Sequence, residues 1–133
     1  MPSPLLLSAT LATAGALSLV YVVLMLRIVR MRFKHSISLG DGGNSEIQKR
    51  IRAHGNFAEY VPLLLILMAL LELGGFDKTT LMGAGAGLVF LRIIHVIGIH
   101  RKSPNLFRAV GTVGTVTLIV WFSIAGLRMA LIA

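Results

Sequence analysis

Four side chains within the stretch RIRAHGNFAEYVP, residues 50–62, have types and spacing that could do chemistry: Arg52, Asn56, Glu59 and Tyr60. They stand at i, i+4, i+7 and i+8, so on an α-helix they share one face. A guanidinium holds a carboxylate bidentately and a glutamate can hold an ammonium, so this set suits an anionic ligand that also carries an amine. The same stripe has a purely structural reading. Arg52 and Glu59 would then be an ordinary ion pair, with Asn56 as a hydrogen-bonding contact between helices. Pro62 lacks an N–H and clashes with the carbonyl of Ala58, which predicts a kink beside the stripe.

Further cations gather at related places along the chain: Arg27 and Arg30, then Arg92, His95, His100 and Arg101, then Arg108. With one carboxylate among many guanidiniums, the anionic reading gains weight. There is no cysteine, so neither a disulfide framework nor a thiolate metal site is available, and any thiol chemistry must use a thiol brought in by a ligand. Four histidines without cysteine or paired carboxylates give no zinc spacing, and no metal is expected.

The elements that must position these residues are apolar. Hydrophobic residues make up 56% of the chain and charged ones only 14%, with a mean hydropathy of +0.84. A length of 133 residues suggests one domain over 1–133. The net charge of +8 lies between apolar segments, which points to membrane topology and anionic headgroups rather than nucleic acid. Four runs are long enough to span a bilayer, which takes roughly 20 helical residues. The first, from residue 4, reads as a span and not as a signal peptide, because its apolar run is long and no charged region precedes it. With their polar flanks the helices are expected at about residues 4–32, 45–73, 79–100 and 105–132, forming an all-α bundle of four transmembrane helices.

Basic residues set the expected orientation. Seven flank the first loop, KHSISLGDGGNSE, and Arg101, Lys102 and Arg108 flank the third, whereas GGFDKTT has only Lys78. The positive-inside rule puts loops one and three in the cytoplasm and both termini outside. Ser45 with Gln48 reads as a capping box that starts helix two near Ser45. That helix is then about 28 residues, or roughly 42 Å, and its first half is polar. Glu72, at its far end, is expected to be solvated. MGAGAGLVF offers Gly83 and Gly87 as a small-xxx-small packing pair, and VGTVGTV offers Gly111 and Gly114. Met25, Met68, Met82 and Met129 read as apolar fillers.

The segment RAHGNFAEYVP resembles the helix-two signature of the membrane-associated proteins in eicosanoid and glutathione metabolism, the MAPEG family. That family includes microsomal glutathione transferases, leukotriene-C synthase and microsomal prostaglandin-E synthase. Arg52, Asn56 and Glu59 carry the signature. RIIHVIG is similar to the prostaglandin-synthase arm, with Arg92 and His95 in phase. Arg108 matches the arginine that opens helix four, and Arg30 a basic position at the end of helix one. The resemblance implies a homotrimer that binds glutathione between protomers near the cytoplasmic side. Arg52, Asn56, Glu59 and Tyr60 would hold it from one subunit. Arg30, Arg92 and His95 would complete the site, some of them from the neighbour. Arg108 would face the thiol and stabilise the thiolate, which then attacks a hydrophobic electrophile or reduces a lipid hydroperoxide drawn from the membrane. The expected setting is a bacterial inner membrane. One departure stands out: where family synthases commonly carry a tyrosine one turn after the His95 position, this chain has Ile99.

Two other classes compete. A small multidrug transporter also has four helices and a membrane carboxylate, but Glu59 sits among arginines that repel cations. A structural or assembly protein needs only the glycine faces and has no use for the polar stripe.

Overall fold

A computed structural model describes residues 6–132. It contains α1 (Ser8–Lys34), α2 (Ser45–Leu73), α3 (Lys78–Ile99) and α4 (Leu106–Ile132), and no strand among the described residues. Each of the four helices is long and apolar enough to cross a membrane. The shortest has 22 residues, about 33 Å at 1.5 Å per residue, against a hydrocarbon core of about 30 Å. The expected start of the first helix, at residues 4–5, lies outside the described residues; within them α1 begins at Ser8.

The central element is α2. Its buried apolar residues Ala53, Phe57, Val61, Leu64, Met68 and Leu71 repeat at steps of three and four, one continuous face of a 3.6-residue helix. That face meets Leu17 and Leu24 of α1, Leu81, Leu88 and Val96 of α3, and Phe122 of α4. α2 packs against all three other helices, whereas α1 and α4 do not meet. α2 runs unbroken through Pro62.

Several local devices differ from those expected. The cap of α2 is Asn44, not Ser45: its side-chain oxygen accepts from the N–H groups of Glu46 at 3.0 Å and Ile47 at 3.1 Å. Ser45 is already the first helical residue. The expected Ser45–Gln48 capping box is therefore one residue out of phase. Glu72 is not solvated. It is 9% exposed, and its carboxylate accepts from the N–H of Ala9, the N–H of Thr10 and the hydroxyl of Thr10, each at 2.8 Å. The start of α1 leaves these N–H groups without partners inside their own helix, and a carboxylate from α2 supplies the acceptor.

The glycines that bring helices together are Gly85, Gly98, Gly111 and Gly114. A side chain at Gly85 would collide with Thr13 of α1, and one at Gly98 with the backbone of Arg108. At Gly111 it would meet His95, and at Gly114 Leu91. Gly83 and Gly87 have open space on the Cβ side, so the expected pair is not a contact within the protomer; on the helix they lie away from Gly85, which holds the packed position. Met68 is fully buried, whereas Met25 and Met82 are exposed.

Candidate functional site: a basic cleft against a buried arginine

The polar stripe of α2 divides in two. At about 100° per residue, Asn56 and Tyr60 lie about 40° and 80° round from Arg52, toward the apolar face, while Glu59 lies about 20° the other way. Asn56 is accordingly buried and Tyr60 half-buried, whereas Arg52 and Glu59 are exposed. The Arg52 guanidinium donates to Glu59 at 3.2 and 3.5 Å. With side chains 59% and 51% exposed, the pair is worth only about 0.2–1 kcal/mol and opens readily to a competing ligand.

Asn56 turns to Arg92, the largest side chain fully buried in the protomer at 1% exposure. Arg92 Nη1 donates to Asn56 Oδ1 at 2.9 Å. Nη2 donates to the Gly111 carbonyl at 2.8 Å and to Thr115 Oγ1 at 2.6 Å. Thr115 can accept because its own proton goes to the Gly111 carbonyl at 2.7 Å. The guanidinium carbon lies 5.9 Å from the centroid of the Tyr60 ring, within cation–π range. No carboxylate forms an ion pair with Arg92 among the described residues, so neutral acceptors from α2 and α4 hold this cation. His95 is also buried; its Nδ1 lies 3.2 Å from Thr112 Oγ1, and among the described residues its Nε2 has no partner.

Arg108 is exposed at the start of α4 and placed by backbone devices. Its N–H donates to Asn105 Oδ1 at 3.0 Å, so Asn105 acts as the helix cap. Asn105 Nδ2 donates in turn to the carbonyl of Gly98 at 2.9 Å, tying the end of α3 to the start of α4. Because Gly98 has no side chain, the α4 backbone at Arg108 can lie directly against it.

Arg52 and Arg108 meet in one cleft of about 420 Å³, with Lys49, Arg101 and Lys102 as further cations and Ile99 in its wall. Among the described residues no carboxylate lines it. Lys49 is bound to Glu46 at 2.7 Å, and the Arg101 guanidinium lies 4.1 Å from the Phe107 ring. Like charges brought this close raise the local potential and favour a polyanionic occupant. The predicted site residues thus fall into three groups. Arg52 and Arg108 line the cleft, with Glu59 bound to Arg52. Asn56, Tyr60 and Arg92 form a buried network behind it, and His95 lies buried near that network. Arg30 is exposed on α1 and does not line the cleft. Among the described residues no cluster of three His, Cys, Asp or Glu side chains could hold a metal ion.

Two residues of this architecture escape a reading of the α2 stripe. Thr115 lies one turn after Gly111 on the buried face of α4, a phase visible in GTVGT. Asn105 immediately precedes an apolar run, a position where asparagine commonly caps a helix.

Four helices long and apolar enough to cross a membrane, with basic side chains clustered in one cleft near a buried guanidinium, define a polytopic membrane protein. Residues 10–128 match the model of the MAPEG family, and the chain belongs to that family of membrane proteins. It is similar to the inner membrane protein YecN of Escherichia coli K12, at 38% identity over 81 residues. The match covers 61% of this chain and 60% of that relative's length. The YecN protein of Escherichia coli O6:H1 matches to the same extent.

Proposed function

We propose that the chain is a glutathione-binding membrane enzyme that activates the glutathione thiol. The observation that carries the proposal is the cleft itself, which joins Arg52 and Arg108 among five cations with no lining carboxylate. Glutathione carries two carboxylates, an ammonium and a thiol. Arg52 and its basic neighbours take carboxylates, and Glu59, released from Arg52, takes the ammonium. Arg108 faces the thiol. Asn56, Tyr60, Arg92 and His95, which the family resemblance would place around glutathione, lie buried or half-buried and do not line the cleft in this chain. Arg30 does not line the cleft within one chain; in the homotrimer that the family resemblance implies, it would reach the cleft from a neighbouring copy.

A thiol with a pKa near 8.5 is largely protonated at neutral pH. A guanidinium beside it in a poorly hydrated cleft favours the anion. The thiolate attacks the carbon of a hydrophobic electrophile, forming a C–S bond as the leaving group departs or a strained ring opens. With a lipid hydroperoxide it attacks the outer oxygen, the O–O bond breaks, and the lipid leaves as an alkoxide that takes a proton from water to become the alcohol. A second glutathione then displaces hydroxide from sulfur, giving the disulfide and water. Both substrates can reach one cleft, because the lipid arrives through the bilayer. Ile99 contributes an apolar wall where family synthases commonly have a hydroxyl, which favours simple thiolate attack over reactions that need a second proton donor.

The setting we propose is a bacterial inner membrane with loops one and three cytoplasmic. The name of the relative YecN and the distribution of basic residues support it. The test is calorimetric binding of glutathione to the detergent-purified protein and to Arg52→Ala. Binding in the native protein that is lost in the variant supports the cleft as the site. No binding to a folded native protein overturns the proposal and leaves the stripe as structure.

A further inference from the structure

An apolar groove of about 380 Å³ runs between α1 and α3 and shares no lining residue with the basic cleft. Its walls are Leu19, Val20, Val23, Ile93, Val96 and Ile97, and Arg27 stands at its end. From Leu19 to Arg27 the groove follows α1 for about 12 Å, at 1.5 Å per residue. Among its lining residues only Arg27 has a polar side chain.

Arg27 is held in place without being neutralised. His100 Nδ1 lies 2.9 Å from the carbonyl oxygen of Val96. A carbonyl only accepts, so Nδ1 carries the proton, and Nε2 of the neutral ring is an acceptor. Arg27 Nη2 donates to that nitrogen at 3.2 Å. The imidazole therefore orients the guanidinium and leaves its charge intact. No carboxylate pairs with Arg27 among the described residues. Arg50 of α2 is a second cation close enough to interact with it. A guanidinium has five N–H donors in a planar fork suited to phosphate, and most of this fork remains free.

An uncompensated cation at the end of an apolar channel, on a bundle that crosses a membrane, matches an anion joined to a hydrocarbon chain. We propose that the α1–α3 groove binds an anionic phospholipid, with the phosphate on Arg27 and an acyl chain lying along Val20, Val23, Ile93 and Ile97. This site is separate from the basic cleft and does not depend on glutathione binding. Charge complementarity selects the lipid. A zwitterionic headgroup brings its own ammonium toward Arg27 and Arg50 and is disfavoured, whereas an anionic one is not.

The experiment is native mass spectrometry of the purified protein with added phosphatidylglycerol or phosphatidylcholine of identical chains. The native protein is expected to retain phosphatidylglycerol about five-fold better, the selectivity one basic side chain near a membrane surface confers. Arg27→Gln abolishes the preference, and Arg27→Lys partly restores it. Ile93→Trp, at a position exposed in the protomer, fills the groove, leaves Arg27 in place and lowers retention of the lipid; it keeps the proposal testable if Arg27→Gln fails to fold. Equal retention of both lipids by the native protein overturns the proposal, as does full retention in Ile93→Trp. The chain has no cysteine, so Val23→Cys adds a single reactive thiol. Cross-linking between copies through that position would show that a second copy covers the groove, and would also overturn the proposal.

Discussion

Replacing Glu72 with alanine removes one acceptor group that serves three donors at the start of α1. The expected loss can be bracketed. Loss of a helix cap costs about 0.5–2 kcal/mol, and a buried donor left without a partner costs about 1–3 kcal/mol. The two N–H groups and the hydroxyl share the carboxylate, so these costs overlap, and the total is about 2–4 kcal/mol. At about 4 °C per kcal/mol for a chain of this size, Tm falls by roughly 8–16 °C. Glu72→Gln should fall between, because it keeps one carbonyl oxygen but turns an NH2 toward Thr10. The single tryptophan, Trp121, gives a local readout. Its ring meets Phe76 edge-on at a centroid distance of 6.2 Å, and Phe76 follows α2 directly. Thermal unfolding in detergent, followed by circular dichroism and by Trp121 fluorescence, measures the effect. A Tm for Glu72→Ala within about 2 °C of the native value would refute the assignment of Glu72 as the cap of α1, because no combination of those costs is so small.

In a double-mutant cycle, Arg92→Met and Asn56→Leu should be coupled by about 0.5–3 kcal/mol in denaturant unfolding, the range for residues in one network; strict additivity would place them in separate environments. Gly98→Val should abolish the α3–α4 approach and yield little folded protein, whereas Gly83→Val should express and melt like the native chain within the protomer; size-exclusion profiles of both variants decide. The Asp77 carboxyl, outside the spans, is held below the usual carboxylate range by the Thr80 hydroxyl and the Thr80 N–H. A lowered folded-state pKa adds stability above the unfolded value of about 3.9, and that stability fades as pH falls through the folded value. Native protein should therefore lose stability below about pH 4 in a way that Asp77→Asn, which has no titrating group there, does not; parallel pH–Tm curves would contradict this.

The spans were legible because apolar runs and their basic flanks are properties of the local chain. The same holds for Arg52, whose pairing with Glu59 follows from a spacing of seven. Arg92 and Glu72 were misread or incompletely read for one physical reason: their partners lie far along the chain. Arg92 Nη2 finds its acceptors at Gly111 and Thr115 of α4, and Glu72 its donors 62 and 63 positions earlier. A carboxylate at a helix end looks solvated unless the opposing helix start is known. The stripe of α2 straddles the edge of a buried face. Spacing showed that its members share a side, but only packing showed that Asn56 turns inward while Arg52 turns out. Gly83 and Gly85 differ in the same way, since composition marks both and the neighbour decides which one packs.

The most direct test of the cleft's chemistry is the ultraviolet titration of the glutathione thiolate bound to native protein and to Arg108→Ala. We predict that the native complex shows thiolate at neutral pH, with the bound thiol at least one unit below the free value of about 8.5, a bias of about 1.4 kcal/mol. Arg108→Ala should still bind glutathione through Arg52 but return the thiol toward that free value. A bound thiol that titrates alike in both proteins would contradict the assignment of Arg108 and, with it, the activation of glutathione in this cleft.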